Sequence, residues 1–405
     1  MLDVTRALAA PFDLHSLLER ITWVARQLVR VERVSAWLHD AARGELYVEV
    51  AGDLPAVRVP IGRGLVGACA AQRATIHVPD CYADPRFNRE IDKASGFHTH
   101  CMLSLPLIDH ASALVGVLQL LNKQDGAFDA QDEMLAEALA AQCAVALSRV
   151  HMTQALIRSE LLRQEVALAA EVQRSILPAS MPQLPGYAMH GVFMPASMTG
   201  GDSFDLAMLD QGLLVVLADA TGHGIGPALS VVQMHAMLRM AFSLGAGLEQ
   251  AFVQVNDRLA STLPDGRFVT AFIGLLDAGQ HRLRYLSGGQ GPILHFHADQ
   301  GACTAHRATS FPMGAMKIQT LKPAVTLALA PGDWVVLLSD GIFEYEDVDG
   351  QQFGRARVEQ LLRDHALDTP VELAARLLAA VQAHARGAAQ DDDITVVLIK
   401  RLPAE

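Results

Sequence analysis

The chain has 405 residues, of which 51% are apolar and 19% charged; this is room for two ordinary domains and a connector, and it argues against long disorder. Acidic residues outnumber basic ones 44 to 32, a formal charge of −12, and such a surface repels nucleic acid and anionic lipid, so neither is expected as a main partner. Five scattered cysteines, Cys69, Cys81, Cys101, Cys143 and Cys303, form no C-x-x-C pair and read as the reduced thiols of a cytoplasmic protein. The N-terminal stretch MLDVTRALAAPFDLHSLLER lacks a basic start followed by an apolar run, and no run of about 18 uncharged apolar residues occurs, so neither a signal peptide nor a membrane span is expected.

Residues 13–30 predict an amphipathic helix with Asp13 as N-cap and an apolar stripe of Leu14, Leu17, Leu18, Ile21, Val24 and Leu28. Strand-like runs follow at 34–38, 45–50, 102–107 and 114–121, and a second helix at 130–150. Together they describe an α+β domain over residues 1–150, with Trp23, Trp37 and Tyr47 read as core. Residues 145–177 contain no Gly or Pro and predict a continuous helix. Leu162, Val166, Ala169 and Ile176 recur at coiled-coil spacing, with Gln173 interrupting the seam. That helix either packs on its own domain or pairs with a second copy in a homodimer. Pro178, Pro182 and Pro185 end it in a stiff linker, so residues 151–184 form a connector. From 185 to 401 the pattern turns β-rich, with runs at 213–218, 268–276, 282–286, 325–330, 334–338 and 394–399. Helical segments lie near 226–243, 247–262, 355–366 and 370–386. Segregation into blocks predicts sheets sandwiched between helices rather than a doubly wound alternation.

Four acidic sites border these strands in turns rich in small residues: Gly200-Gly201-Asp202-Ser203-Phe204-Asp205, Asp219 ending LLVVLADATGHG, Asp340 ending WVVLLSDG, and Asp391-Asp392-Asp393 opening DITVVLIK. A carboxylate directly after a buried strand is costly unless its charge is compensated. Any one of these reads as a loop aspartate capping a turn. Four from distant parts of the chain suggest a common focus, and about four negative charges match two divalent cations of the hard, oxygen-seeking kind, Mn2+ or Mg2+. Two such ions can activate a water and clamp a phosphoryl oxygen.

The order of EVQRSILPASMPQLPG, GGDSFD, ADATGHG, APGDWVVLLSDGIFE, QFG and DDIT resembles the SpoIIE/RsbU branch of the PPM (type 2C) metal-dependent protein serine/threonine phosphatases, whose fold is an α-β-β-α sandwich. That resemblance implies that Asp219 bridges both metals with the Ala220 carbonyl as a further ligand, that Asp202 holds one metal, and that Asp340 and Asp392 hold the other. Asp393 is a weaker ligand candidate, while Asp205 and Asp391 read as supporting residues. It also implies single-step hydrolysis by activated water, without a covalent enzyme intermediate. The implied substrate is a phosphorylated anti-sigma-factor antagonist of the STAS type. The chain departs from the family at Ser287-Gly288-Gly289-Gln290, where members often carry Ala-Gly-His, so no general acid is assigned. His223 reads either as a proton donor or as a turn-stabilising residue.

The stretches IGRGLVGACAAQRATIHVPD, LSLPLIDHASALVGVLQLLNK and FDAQDEMLAEALAAQCAVAL resemble a GAF sensor domain. Asn122, Lys123 and Phe128, followed by Asp132 and Glu133, match a motif of cyclic-nucleotide-binding GAF domains. The same motif serves as a fold-stabilising Lys–Asp pairing in GAF domains that bind no nucleotide, and both readings stay open. Gly62-Arg63-Gly64 reads as the turn before a helix, and His98, His100 and Cys101 as loop residues without zinc spacing. The resemblances predict a GAF-regulated phosphatase; the alternative is a catalytically weak, phosphatase-like binding module that relays a GAF signal by docking partners. Retention of Asp202, Asp219, Asp340 and Asp392 favours the enzyme.

Overall fold

The computed structural model describes residues 13–50 and 57–403; the N-terminal stretch read above falls partly outside them. The chain divides into two compact units between Leu161 and Leu162.

In the N-terminal unit, helix α1 (Leu14–Val29) starts where the Asp13 carboxylate accepts the Ser16 N–H. Six antiparallel strands follow: β1 (Val31–Asp40), β2 (Glu45–Val50), β3 (Arg58–Pro60), β4 (Ile76–Val78), β5 (Met102–Ile108) and β6 (Leu114–Lys123). They form one sheet in the order β3-β2-β1-β6-β5-β4. One face packs on Leu17, Leu18, Ile21 and Val24 of α1 and on Leu139, Cys143 and Leu147 of a long helix, α4 (Ala130–Ser175). The other face packs on α2 (Gly64–Gln72), and a short helix α3 (Arg89–Ser95) precedes β5. Gly62-Arg63-Gly64 forms the turn into α2, as expected. Trp23 corrects the sequence reading. It is 63% exposed, because it follows Ile21 by two positions and so lies across the helix from the buried stripe. Trp37 is buried and Tyr47 half-buried, with the Arg58 guanidinium over its ring.

The predicted helices at 130–150 and 145–177 are one element, α4. Its stretch after Val150 leaves Met152, Leu156, Ile157, Leu161, Leu162, Leu168 and Val172 exposed, and burial resumes at Ala170 and Gln173.

The C-terminal unit holds two five-stranded sheets. The first runs β14 (Val325–Ala328), β11 (Arg282–Gly288), β10 (Val269–Asp277), β9 (Gly212–Ala220), β8 (Asp202–Leu209). The second runs β13 (Ala302–His306), β12 (Ile293–His297), β15 (Trp334–Leu338), β16 (Ile394–Arg401), β7 (Tyr187–Met194). Alternation along each strand gives every sheet two apolar faces. Phe204 of β8, Val215 and Leu217 of β9, Phe272 and Tyr285 meet Val335, Leu337, Val397 and Ile399 between the sheets. Helices α5 (Ile225–Ser243) and α6 (Leu248–Thr262) cover the first sheet. After the short α7 (Asp340–Phe343), helices α8 (Arg355–Asp364) and α9 (Pro370–Ala385) cover the second. The result is the expected α-β-β-α sandwich. Helix α9 carries a full capping box between Thr369 and Glu372, with Pro370 in its first turn. Among the described residues, no helix is long and apolar enough to cross a membrane.

Candidate metal centre

Asp202 opens β8 and Asp219 ends the apolar run of β9, and the two are direct partners in the ladder. Asp340 begins α7, one residue beyond Ser339 at the end of β15, and Asp392 lies two residues before β16. The four come from two sheets, and the sheets are tied together at this end. The Thr395 hydroxyl of β16 donates to Asp202 Oδ2 at 2.6 Å. Asp393 accepts the main-chain N–H groups of Ala196 at 2.8 Å and of Asp202 at 3.2 Å. A side chain at Gly341 would run into the Asp393 carbonyl, so only glycine lets the turn carrying Asp340 pass against the turn carrying Asp392.

Burial, together with the charge of Asp219, holds the Asp202 carboxyl well above the usual carboxylate range, against the lowering effect of Thr395. Asp219 is pushed up to about 7, first by burial and then by the negative charges of Asp340, Asp392 and Asp393. Asp340 is raised by burial and by Asp392 and Glu344, although it faces solvent at the rim. Burial also raises Asp393 despite its main-chain donors. Among the described residues none of these acids forms an ion pair, in contrast to Asp205. Arg239 grips Asp205 with two hydrogen bonds of 2.6 and 2.8 Å, and Ser203 meets the buried His235 at 2.8 Å. Asp205 therefore has its counter-charge beside it, while the four acids lack one among the described residues.

That donor set fits hard divalent cations. A β-carbon at Gly201 would stand 2.5 Å from the Ala220 carbonyl, 3.1 Å from that of Gly222 and 3.3 Å from Asp219 Oδ1; three oxygens thus converge where glycine leaves room. No three of the four carboxylates bring oxygens within 4.8 Å of one another among the described residues. Ligands on one ion with bonds of about 2.1 Å lie within roughly 4.2 Å of one another, so Asp219, Asp340 and Asp392, the three that the resemblance places on one ion, would have to draw together when it binds.

Several residues at the centre escaped the sequence reading. The buried Gln173 of α4 donates to the carbonyls of Gly200 at 2.8 Å and Asp202 at 3.0 Å and accepts the Gly200 N–H at 3.1 Å. Its interruption of the apolar seam was the available signal. Gln290 accepts from the Thr270 hydroxyl at 3.0 Å and donates to the Leu338 carbonyl at 3.0 Å, tying the strand beside Asp219 to the strand end before Asp340. It acts there as a cross-tie. Arg267 lays its guanidinium against Gly226 in the first turn of α5. His223 and Asp391 are exposed.

In the N-terminal unit, Asn122 accepts the His100 N–H at 2.7 Å and donates to the His98 carbonyl and Glu32 at 2.8 Å each. Lys123 donates to Asp132 at 2.6 Å and to the Val29 carbonyl at 2.8 Å. These bonds brace the loop 98–101 and the end of α1. His98 and His100 pack edge to face within that loop. A separate cavity of about 520 Å³ is lined by Ser35, Arg58, Arg63, Arg86 and Gln119 among others, and not by Asn122, Lys123 or Asp132.

Residues 210–402 match the family model of stage II sporulation protein E (SpoIIE), and residues 13–147 match that of the GAF domain. The chain is 25% identical over 267 residues to Protein IcfG of Synechocystis sp., covering 59% of this chain and 42% of that protein. It is 28% identical over 187 residues to the probable 3',5'-cyclic phosphodiesterase pde-5 of Caenorhabditis elegans, covering 42% of this chain and 25% of that protein. The chain therefore spans less than half the length of these curated relatives. Among solved structures it is similar in fold to the SiaA-PP2C domain of Pseudomonas aeruginosa, with a TM-score of 0.52 and 22% identity over 60% of this chain and 98% of that one.

Proposed function

We propose that this chain, which carries a GAF domain followed by a SpoIIE-type phosphatase domain, is a two-metal protein serine/threonine phosphatase controlled through its GAF domain. The observation that carries the reading is Asp219. Burial first, and then three further acids, raise it to about 7, and no Lys or Arg pairs with it among the described residues, which suits a place built for cations. Asp219 would serve both metals, with the Ala220 carbonyl as a further ligand, Asp202 one of them, and Asp340 and Asp392 the other. Asp393 has both oxygens engaged by main-chain N–H groups and acts as a brace for the Asp202 strand. When bound, Mn2+ or Mg2+ would supply water activation and charge neutralisation at the phosphoryl group. Thr395 and Gln173 fix Asp202 and its strand, and Gln290 holds the two sheet ends in register. Manganese-dependent hydrolysis of p-nitrophenyl phosphate that disappears in Asp219→Asn tests the activity; no turnover in the wild-type chain would favour the docking-module alternative.

The substrate class we propose is a phosphoserine or phosphothreonine on a STAS-type protein. Removing a group of about −1.5 to −2 charge would restore that partner's binding surface and release a sigma factor. The exposed apolar residues of α4 between Met152 and Val172 support a homodimer formed along the connector, which light scattering of the full chain tests. The GAF cavity is lined by Arg33, Arg58, Arg63 and Arg86 together with Asp92, with Arg58 and Arg86 already paired to acids; thermal shifts with cyclic nucleotides test whether a small anion binds there. Because Asn122, Lys123 and Asp132 lie away from the cavity lining, their bracing role is the better supported one.

A further inference from the structure

A second group of metal-binding side chains lies in the phosphatase domain, and the carboxylate centre does not use it. His295 and His297 alternate onto one face of β12, and Asp333 immediately precedes β15. One nitrogen from each histidine and one oxygen of Asp333 lie within 4.8 Å of one another. His295 Nε2 and Asp333 Oδ2 share a hydrogen bond of 3.1 Å; that separation is close to the roughly 3.3 Å between two ligands on one tetrahedral ion with bonds near 2.0–2.1 Å, so an ion would take the place of the proton between them. His295 and Asp333 are buried, His297 is half-buried. Asp333 is fixed from behind, its Oδ1 accepting the Ala298 N–H at 3.0 Å and its Oδ2 the Ala330 N–H at 2.8 Å, the kind of support that orients a ligating carboxylate. His297 Nε2 meets the Thr304 hydroxyl at 2.9 Å, which leaves its other ring nitrogen available.

A fourth side chain provides the independent observation. His306 of β13 pairs with Ile293 in the ladder, and its ring lies 6.4 Å from that of His295 at an angle of 28°. Its Nε2 is buried and has no hydrogen-bond partner. A buried ring nitrogen without a partner is costly unless something occupies it. The five residues of β15 separate Asp333 from Ser339, on the order of 17 Å of strand, so this cluster sits at the opposite end of the sheet from Asp340.

We propose that His295, His297 and Asp333 bind a single zinc-class divalent cation that pins the β12–β13 hairpin to the start of β15, the His306 ring, whose nitrogens stand outside the 4.8 Å group, turning in as the fourth ligand. Imidazole nitrogens with one carboxylate suit Zn2+, or Co2+ as its spectroscopic substitute, whereas Mg2+ prefers all-oxygen sites. The test uses the full chain, stripped with a chelator, loaded with Zn2+ in the presence of millimolar Mg2+ and passed through gel filtration before metal analysis. The wild type should retain one zinc per chain, and its Co2+ form should show the intense visible absorption of a tetrahedral site. His297→Ala and His306→Ala, both at partly exposed positions, should each weaken zinc binding at least tenfold against a chromophoric chelator and lose that absorption. Circular dichroism checks that each variant is folded, and if one is not, the other decides. No retained zinc in the wild type, or wild-type zinc affinity in a folded variant, overturns the assignment.

Discussion

Asp219→Asn should move stability and activity in opposite directions, and that sign pattern distinguishes an electrostatically strained metal ligand from an ordinary structural aspartate. In the metal-free fold the carboxyl titrates at about 7 in place of 3.8, burial being the larger cause and Asp340, Asp392 and Asp393 the next. Its folded value is raised, so its contribution to stability is complete below 3.8 and is lost as pH rises through about 7. At ~1.36 kcal/mol per pH unit the ceiling on that loss is about 4 kcal/mol. Partial contact with solvent and sharing of a proton with Asp202 reduce it to on the order of 1–2 kcal/mol. Asparagine never ionises and avoids the loss. In EDTA at pH 8 the phosphatase-domain transition of Asp219→Asn should therefore lie several degrees above that of the wild type, at about 2–4 °C per kcal/mol for a domain of this size. At pH 5.5 about half of that difference should remain, and the two should nearly coincide only near pH 4. Added Mn2+ should raise the wild type by mass action, leave the variant nearly unmoved, and support at least a hundredfold more p-nitrophenyl phosphate hydrolysis in the wild type. A variant that melts below the wild type in EDTA at pH 8, or that keeps manganese-dependent turnover, would refute this reasoning.

The same proton predicts the pH dependence of metal binding. Below pH 7 the Mn2+ concentration giving half-maximal activity should rise up to tenfold per pH unit, since the proton on Asp219 must leave first; a flat dependence between pH 6 and 7 would contradict it. Gln173→Ala removes three buried hydrogen bonds to the Gly200–Asp202 turn, at a cost of about 1–3 kcal/mol. It should raise the half-saturating Mn2+ concentration more than it lowers turnover at saturating metal. Lys123→Met leaves Asp132 without its partner at a site where both are largely buried, and should cost about 3 kcal/mol in the melting of the N-terminal unit. Turnover of p-nitrophenyl phosphate by the phosphatase domain should stay at the wild-type level in that variant.

The apolar strands and the helices between them were legible because their patterns are strong: Trp334–Leu338 is buried at every position, and α1 shows its stripe with a capping aspartate. The elements that escaped break the pattern for identifiable reasons. β8 carries Asp202, Ser203 and Asp205 inward because Thr395, His235 and Arg239 satisfy them, so its polarity hides a buried strand. β12 is interrupted by His295 and His297, which face Asp333 and Thr304 rather than solvent. β3 and β4 are three residues each, too short to show a period. Trp23 failed for the converse reason, since a large apolar side chain was assigned by type and not by its angle on the helix.

Gln173 is the most instructive of these residues. Read along α4 it is a flaw, a polar side chain where coiled-coil spacing asks for an apolar one. Across the fold it is buried, with its amide spent on Gly200 and Asp202, the turn that delivers the proposed metal ligand. A one-dimensional pattern cannot tell a defect from a contact, because the partner lies 27 residues away in sequence. The contact also gives regulation a physical starting point: any change that rotates or frays the last turns of α4 must break these bonds or carry the Asp202 strand with it. If the proposed control by the N-terminal unit reaches the last turns of α4, it acts on these bonds, and Gln173→Ala should weaken it even where folding survives.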